Sequence, residues 1–391
     1  MKPLRITAFT ASSAAGIGVS ATLDALRSRT SGLTRNDFGV EPVDTHIGRV
    51  TAVEDAALPD DLRQWDCRNS RLAWLGLNQD AFLTAAMDAR ERYGDTRVAI
   101  VFGTSTSSIG ATEEAYANLD DAGGFPPHLR NPLIHTPHST GDFLQHALGL
   151  QGVCVTVGTA CSSSAKIFAQ AERLVRNDLA DAVIVGGTDS LCGSVLFGFN
   201  SLELVSAEPC QPFDTMRSGI NLGEASGFAL LEREGNGPTL LGYGESSDAF
   251  HMSSPHPEGL GARKAIDDAL TSAGLAAEDV DYINLHGTAS RKNDEVEAKV
   301  IADLFTDHTL ASSTKGWTGH TLGAAGILES VITLLALESS MAPGTLNTSH
   351  LDPVCGPQIR TENSDAALRT GMSLSFGFGG SNCALLFGRA K

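Results

Sequence analysis

One cysteine and two histidines stand on glycine- and hydroxyl-rich turns in separate parts of the chain. The stretch Val153 to Ser164 reads VCVTVGTACSSS and runs into a helical pattern. A strand entering a sharp turn at Gly158 leaves Cys161 at a helix N-terminus, where unpaired N–H groups and the dipole favour a thiolate, the nucleophilic form. A buried structural cysteine fits the same pattern, and Cys154, alternating inside the strand, is read as a core residue. His286 lies in LHGTAS, directly after the apolar run Tyr282 to Leu285, a place from which an imidazole can reach a cavity or simply sit satisfied in the core. Lys315 and His320 share SSTKGWTGHTLGAAG, where glycines permit close backbone approach and a lysine needs either solvent or a carboxylate. Ser375 to Asn382, SFGFGGSN, lacks the GxGxxG spacing of a dinucleotide loop. The seven cysteines form no CxxC or CxxH pair, so no metal is expected, and the Cys/His/His set fits thioester chemistry better.

Positioning these turns requires strands that end at them and helices that begin there. Apolar β-rich runs at Arg97 to Phe102, Val153 to Val157, Ala182 to Gly187 and Gly227 to Leu231 alternate with helical patterns at Ser162 to Arg176, Gly261 to Ala273 and Gly323 to Leu337. That alternation predicts an α/β protein with buried strands. The charged, Gly- and Pro-containing REGNGP at Arg233 to Pro238 is the best linker, dividing the chain into 1–235 with the cysteine and 236–391 with both histidines. Each part holds a strand, a glycine/hydroxyl turn and a helix, a weak sign of duplication.

Composition narrows the function. With 28 basic against 46 acidic residues, the net charge of −18 opposes nucleic acid or anionic membrane as a partner. The longest apolar run, Ile327 to Leu337, is broken by Glu329, Ser330 and Thr333, and no membrane span is expected. The polar-interrupted start is not read as a signal peptide, which makes the cytoplasm the expected location. The 41 glycines exceed the usual share and gather beside Ser, Thr, Cys and His.

Taken in order, TACSSS, LHGT with Asp294 and Glu297 after it, STKGWTGHTLGAAG and SFGFGGSN resemble the motifs of the β-ketoacyl-ACP synthases of types I and II. The resemblance covers essentially the whole chain, including PFDTMRSGINLGEASG and SSDAFHMSSP. It implies a thiolase-like fold, a duplicated five-layered α-β-α-β-α core, and decarboxylative Claisen condensation of an acyl thioester with a malonyl thioester. Fatty acid, polyketide or aryl-polyene-type biosynthesis would be the setting. By motif, Cys161 would accept the acyl group, while His286 and His320 would bind the malonyl carbonyl and promote decarboxylation. Backbone N–H groups of Cys161 and Phe378 would hold the oxyanion, and Phe378 would gate the acyl pocket. Lys315 would sit near Glu329 and fix local charge, with Asp294 and Glu297 in support. Thr288 and Ser290 match positions that touch a phosphopantetheine arm. No cofactor is implied beyond that arm.

The implied partners are an acidic acyl carrier protein and a second subunit, giving a homodimer or a heterodimer with a related ketosynthase-like chain. Arg63, Arg68 and Arg71 match a carrier-docking segment, although an exposed charged helix face reads the same way. Where the family commonly has a Pro-x-Gly-Asp run after HGT, this chain has Arg291-Lys292-Asn293-Asp294, which adds two cations and lacks the Pro and Gly. Leu191 to Ser206, near the expected acyl pocket, is also unusual. A C-terminal CxG, the mark of a degradative thiolase, is absent because Ala384 and Leu385 follow Cys383; an Asn in place of His320 would mark a type III synthase. A non-catalytic chain-length partner remains as the alternative, opposed by Cys161.

Overall fold

The structure, a computed structural model, describes residues 1–39 and 42–390. Ten strands carry the architecture: β1 (Leu4–Ser13), β2 (Val98–Gly103), β3 (Cys154–Val157), β4 (Ala182–Asp189), β5 (Ala225–Glu232), β6 (Thr239–Ser247), β7 (Tyr282–Asn284), β8 (Leu310–Ser312), β9 (Thr370–Gly377) and β10 (Ser381–Gly388). Their hydrogen-bonded order is β3-β2-β4-β5-β1 followed by β6-β10-β9-β7-β8. Counted within each half from its outer edge, both read third, second, fourth, fifth, first. The senses repeat too. The outer three strands of each half are parallel, and the inner pairings are antiparallel. Duplication is therefore plain in topology although it is invisible residue by residue.

The halves join at β1 and β6, which pair only at Leu4↔Leu240 and Arg5↔Thr239. Two helices, Ser163–Arg176 and Ala325–Ser339, lie against each other and against strands from both halves, making the middle of five layers. Helices Arg68–Leu77 and Phe82–Tyr93 cover β1 and β5 on one outside, and Leu260–Ala273 covers β6 and β10 on the other. The apolar residues of both middle helices are enclosed: Ile167, Phe168, Ile327 and Leu334 share one core with Val185, Leu231 and Leu385. This enclosure amends one expectation. Leu322–Ser339 does reach the length and hydropathy of a membrane span, mean 1.5, but 89% of it is buried between the sheets. Contacts with protein replace the contacts that lipid would make.

Arg233–Pro238 is the turn between β5 and β6, as its composition predicts. Cys154 departs from its expectation: it sits half-buried on β3, the edge of its sheet, where no strand among the described residues pairs with its outer side.

Candidate active site

Each site residue follows the end of a strand, and the duplication places the ends together. Cys161 follows β3, the third strand of its half, and precedes helix Ser163–Arg176; His320 follows β8, the third strand of the other half, and precedes helix Ala325–Ser339. His286 follows β7, and Phe378 follows β9.

The turn at Cys161 binds itself. Ser163 Oγ accepts from the Thr159 N–H at 2.8 Å and donates to the Ala160 carbonyl at 2.6 Å, while Ser162 Oγ donates to the Thr159 carbonyl at 2.9 Å. Ala160 is held at φ +51°, a left-handed conformation that costs a residue with a Cβ about 1–2 kcal/mol. Behind it, Gly103 must lack a side chain, since a Cβ there would stand 2.5 Å from Ser164 Cα.

Sγ of Cys161 lies 3.0 Å from Nε2 of His320. The imidazoles of His286 and His320 meet nearly perpendicular with centroids 5.4 Å apart, and ligating atoms of the three residues fall within 4.8 Å of one another. All three residues are buried, at 5%, 3% and 3% exposure. This soft donor set could bridge a thiophilic cation, but the same groups suit acyl transfer.

Burial decides their protonation. Burial raises the Cys161 thiol to about 11, against the smaller opposing pull of the Phe378 N–H and the Lys315 charge. The expected resting thiolate is thus corrected: desolvation outweighs the helix terminus, and the sulfur holds its proton until a base removes it. Burial, followed by the Lys315 charge, pushes both imidazoles well below the ordinary histidine value, so both are neutral at pH 7. The backbone N–H groups of Phe378 and of Cys161 itself pull the thiol the other way, as donors close to Sγ do, and the carbonyl oxygen of a thioester formed on that sulfur would lie beside it.

Behind the histidines lies a buried charge network. Lys315, 1% exposed, donates from Nζ to the His286 carbonyl at 2.5 Å and to Glu329 Oε1. Burial raises the Glu329 carboxyl to about 7, and its Oε2 has no hydrogen-bond partner among the described residues. Glu297 accepts the N–H groups of His286 and Gly287, each at 2.7 Å, while burial raises it to about 8. Asp294 accepts the Phe213 N–H at 2.8 Å and is raised by burial to about 6. Asn293 ties the Asp294 and Glu297 carboxyls together. The His320 backbone is clamped to the other half, its N–H donating to the Asn221 carbonyl at 2.7 Å and its carbonyl accepting from Gly223 at 3.0 Å.

Cys161, His286 and His320 line a cleft of about 370 Å³. Thr288 and Ser290 line it, their hydroxyls 2.9 Å apart across Ala289 at φ +65°. Phe378 lines it too and lies against Phe199, centroids 5.5 Å apart, on helix Gly193–Ser201 within the unusual 191–206 segment.

The three arginines do not share one environment. Arg63 is exposed and pairs with Asp60, and Arg71 is held at two points by Asp66. Arg68 points inward, its guanidinium 2.6 Å from the fully buried Glu224 and bonded also to Glu54. The docking expectation therefore has a different physical basis at each position. Sequence reasoning missed Glu224 and also Asp189. The latter's buried carboxylate accepts from Ser105, Thr106 and Gly323 N–H groups and thereby ties the turn after β2 to the turn after His320. The one available signal was an acidic residue closing the apolar run AVIVGGTD.

Nucleophile, two neutral imidazoles and paired N–H donors at the seam of a duplicated five-layered core define a condensing enzyme of thiolase-like fold. Residues 1–236 match the β-ketoacyl synthase N-terminal domain and residues 238–349 the β-ketoacyl synthase C-terminal domain. The chain belongs to the β-ketoacyl synthase family and is an acyltransferase. It is 33% identical to 3-oxoacyl-[acyl-carrier-protein] synthase 2 of Coxiella burnetii, covering 79% of this chain and 82% of that one. It is 30% identical to the synthase of the same name from Staphylococcus aureus over 91% of this chain and 90% of that one. Among solved structures it is similar to the ketosynthase (ApeO) in complex with its chain length factor (ApeC) from Xenorhabdus doucetiae. There the identity is 36% and the TM-score 0.90, covering 100% of this chain and 98% of that one.

Proposed function

We propose that this β-ketoacyl synthase performs decarboxylative Claisen condensation by a ping-pong route, with both substrates presented by an acyl carrier protein. The 3.0 Å approach of His320 Nε2 to the protonated Cys161 sulfur carries this reading. Sγ attacks the acyl thioester carbonyl while its proton passes through His320 to the departing arm thiol. Once Cys161 is acylated and the arm thiol has left with the proton, His320 in its Nε2–H neutral tautomer, its ring proton having moved from Nδ1, and His286 both donate to the malonyl thioester carbonyl. The bond to the malonyl carboxylate then breaks, CO2 leaves, and the electron pair moves onto the hydrogen-bonded enolate oxygen. The enolate carbon attacks the acyl-Cys161 carbonyl, whose oxyanion is held by the Cys161 and Phe378 N–H groups. Collapse expels the Cys161 thiolate, which takes one proton from solvent, the proton that the overall reaction consumes as CO2 leaves. Neutral imidazoles suit this sequence because they donate without needing to be charged. Phe378 against Phe199 gates the pocket, and Thr288 and Ser290 guide the arm. Lys315, with Glu329, positions His286 through its carbonyl, while Asp294 and Glu297 hold the loop.

The reading extends to a pair of synthase-like halves, 1–235 and 236–391, acting in the cytoplasm without a cofactor. It extends also to a dimer with a second copy or a related subunit. The edge strand β3 is half-buried along its whole length, and Ile109, Tyr116, Leu119 and Leu133 are exposed, features that a protein partner would cover. A carrier would dock near Arg63 and Arg71, with Arg68 supporting from beneath.

Intact-mass measurement after exposure to a panel of acyl carrier-protein thioesters tests the chemistry. The wild type should gain one acyl group, the Cys161→Ala variant none, and the wild type should release CO2 from malonyl carrier protein. If the wild type neither acylates nor releases CO2, the non-catalytic partner reading replaces this one.

A further inference from the structure

The cleft changes character along one loop. His286 and Thr288 are buried, Ser290 is half-buried, and Arg291 and Lys292 are exposed, so the seven-residue stretch 286–292 runs from the floor of the cleft to the solvent. Arg291 and Lys292 line the cleft and are the permanently cationic side chains among its lining residues. Neither forms an ion pair or a side-chain hydrogen bond among the described residues, unlike Arg63, Arg68 and Arg71, which are each matched by carboxylates. Of the acidic residues lining the same cleft, Asp248 is engaged by Asn382 and by the His256 N–H, and Glu203 stands on the Phe199 side. In a chain of net charge −18, two adjacent unmatched cations at the mouth of a thioester-handling cleft are a local reversal of the field.

We infer that Arg291 and Lys292 form an anion site at the cleft mouth that reads the phosphate of the phosphopantetheine arm, outboard of Thr288 and Ser290. This deepens the proposed function and rests on its carrier-borne thioester. A phosphate there is a strong acceptor for a guanidinium and an ammonium together, and the contact fixes the arm's depth, so the thioester arrives at Cys161 in register.

Binding of unacylated phosphopantetheine and of pantetheine to the full chain, followed by calorimetry or NMR titration, tests the site without requiring turnover. The wild type should bind the phosphorylated arm about tenfold more tightly at low salt, and the preference should shrink at ~0.5 M salt. In Arg291→Ala/Lys292→Ala the ratio should fall to about one, with an unchanged melting temperature. Arg291→Lys/Lys292→Arg, which keeps the charge, should retain the preference. Equal binding of both arms by the wild type overturns the site, as does a preference that survives the double alanine variant or is lost in the charge-conserving one. If the double alanine variant weakens binding of an intact carrier protein while the free arms bind alike, the cations read the carrier's surface carboxylates, and the phosphate assignment fails. Failure of Cys161 to be acylated by any thioester defeats the synthase reading instead, and the binding comparison separates the two.

Discussion

Nε2 of His320 faces Sγ of Cys161 at 3.0 Å, and burial leaves the sulfur protonated and the imidazole neutral. Reactivity toward a small electrophile therefore depends on solvent hydroxide rather than on a resting ion pair. The rate of Cys161 alkylation by iodoacetamide should climb roughly tenfold per pH unit from pH 7 toward the value of about 11 without levelling off on the way. A plateau already reached at pH 7 would show that a thiolate exists at rest.

In the proposed mechanism the histidines divide the labour by position. Because His320 touches the sulfur, His320→Ala should slow both acyl transfer and decarboxylation, acyl transfer staying measurable by about 10²-fold and decarboxylation falling by about 10³-fold or more. His286, which approaches from behind Phe376, should when replaced by alanine leave acylation within about threefold of wild type while decarboxylation collapses. Stopped-flow acylation and CO2 release measured side by side decide it; parallel losses in both variants contradict the division.

Lys315 joins charge to geometry. Replacing it by methionine strands Glu329 in the core, so stability should drop by about 3–5 kcal/mol, partly relieved as that carboxyl takes a proton. Pairing Lys315→Met with Glu329→Leu should recover most of the loss in urea denaturation. Decarboxylation should stay depressed in the double variant, because the His286 carbonyl has still lost its donor. Full recovery of activity would make Lys315 purely structural.

Arg63 and Arg68 differ by five positions and by environment. Arg68→Met should cost about 3–5 kcal/mol, since Glu224 is fully buried and loses its counter-charge. Arg63→Ala, at an exposed pair, should move stability by no more than about 0.5 kcal/mol. Equal effects in chemical denaturation would contradict the burial difference.

What could be read from the sequence follows the range of the forces involved. The turns at Cys161, His286 and His320 are local, written in glycines and hydroxyls beside strand ends, and they stand where expected. At Cys161 the helix terminus that favours a thiolate is local and legible, whereas the burial that raises the thiol comes from packing with parts distant in sequence. Asp189 and Glu224 went unseen for the same reason. Their partners at Ser105, Gly323 and Arg68 lie far along the chain, so no spacing could announce them. The linker at Arg233–Pro238 was legible, yet the mirrored strand order of the halves was not, since topology repeats where side chains have diverged.

The weak join between β1 and β6 has a consequence for how the chain comes alive. During synthesis the segment bearing Cys161 is complete before residues 286 to 378 emerge, and until then the sulfur lacks His286, His320 and the Phe378 N–H. The middle helices must close on each other before chemistry begins, with Gly326 seated where a Cβ would stand 2.8 Å from Ala165 Cα. On the roles proposed for these residues, the chain gains its full set of reacting groups only when both halves have folded together.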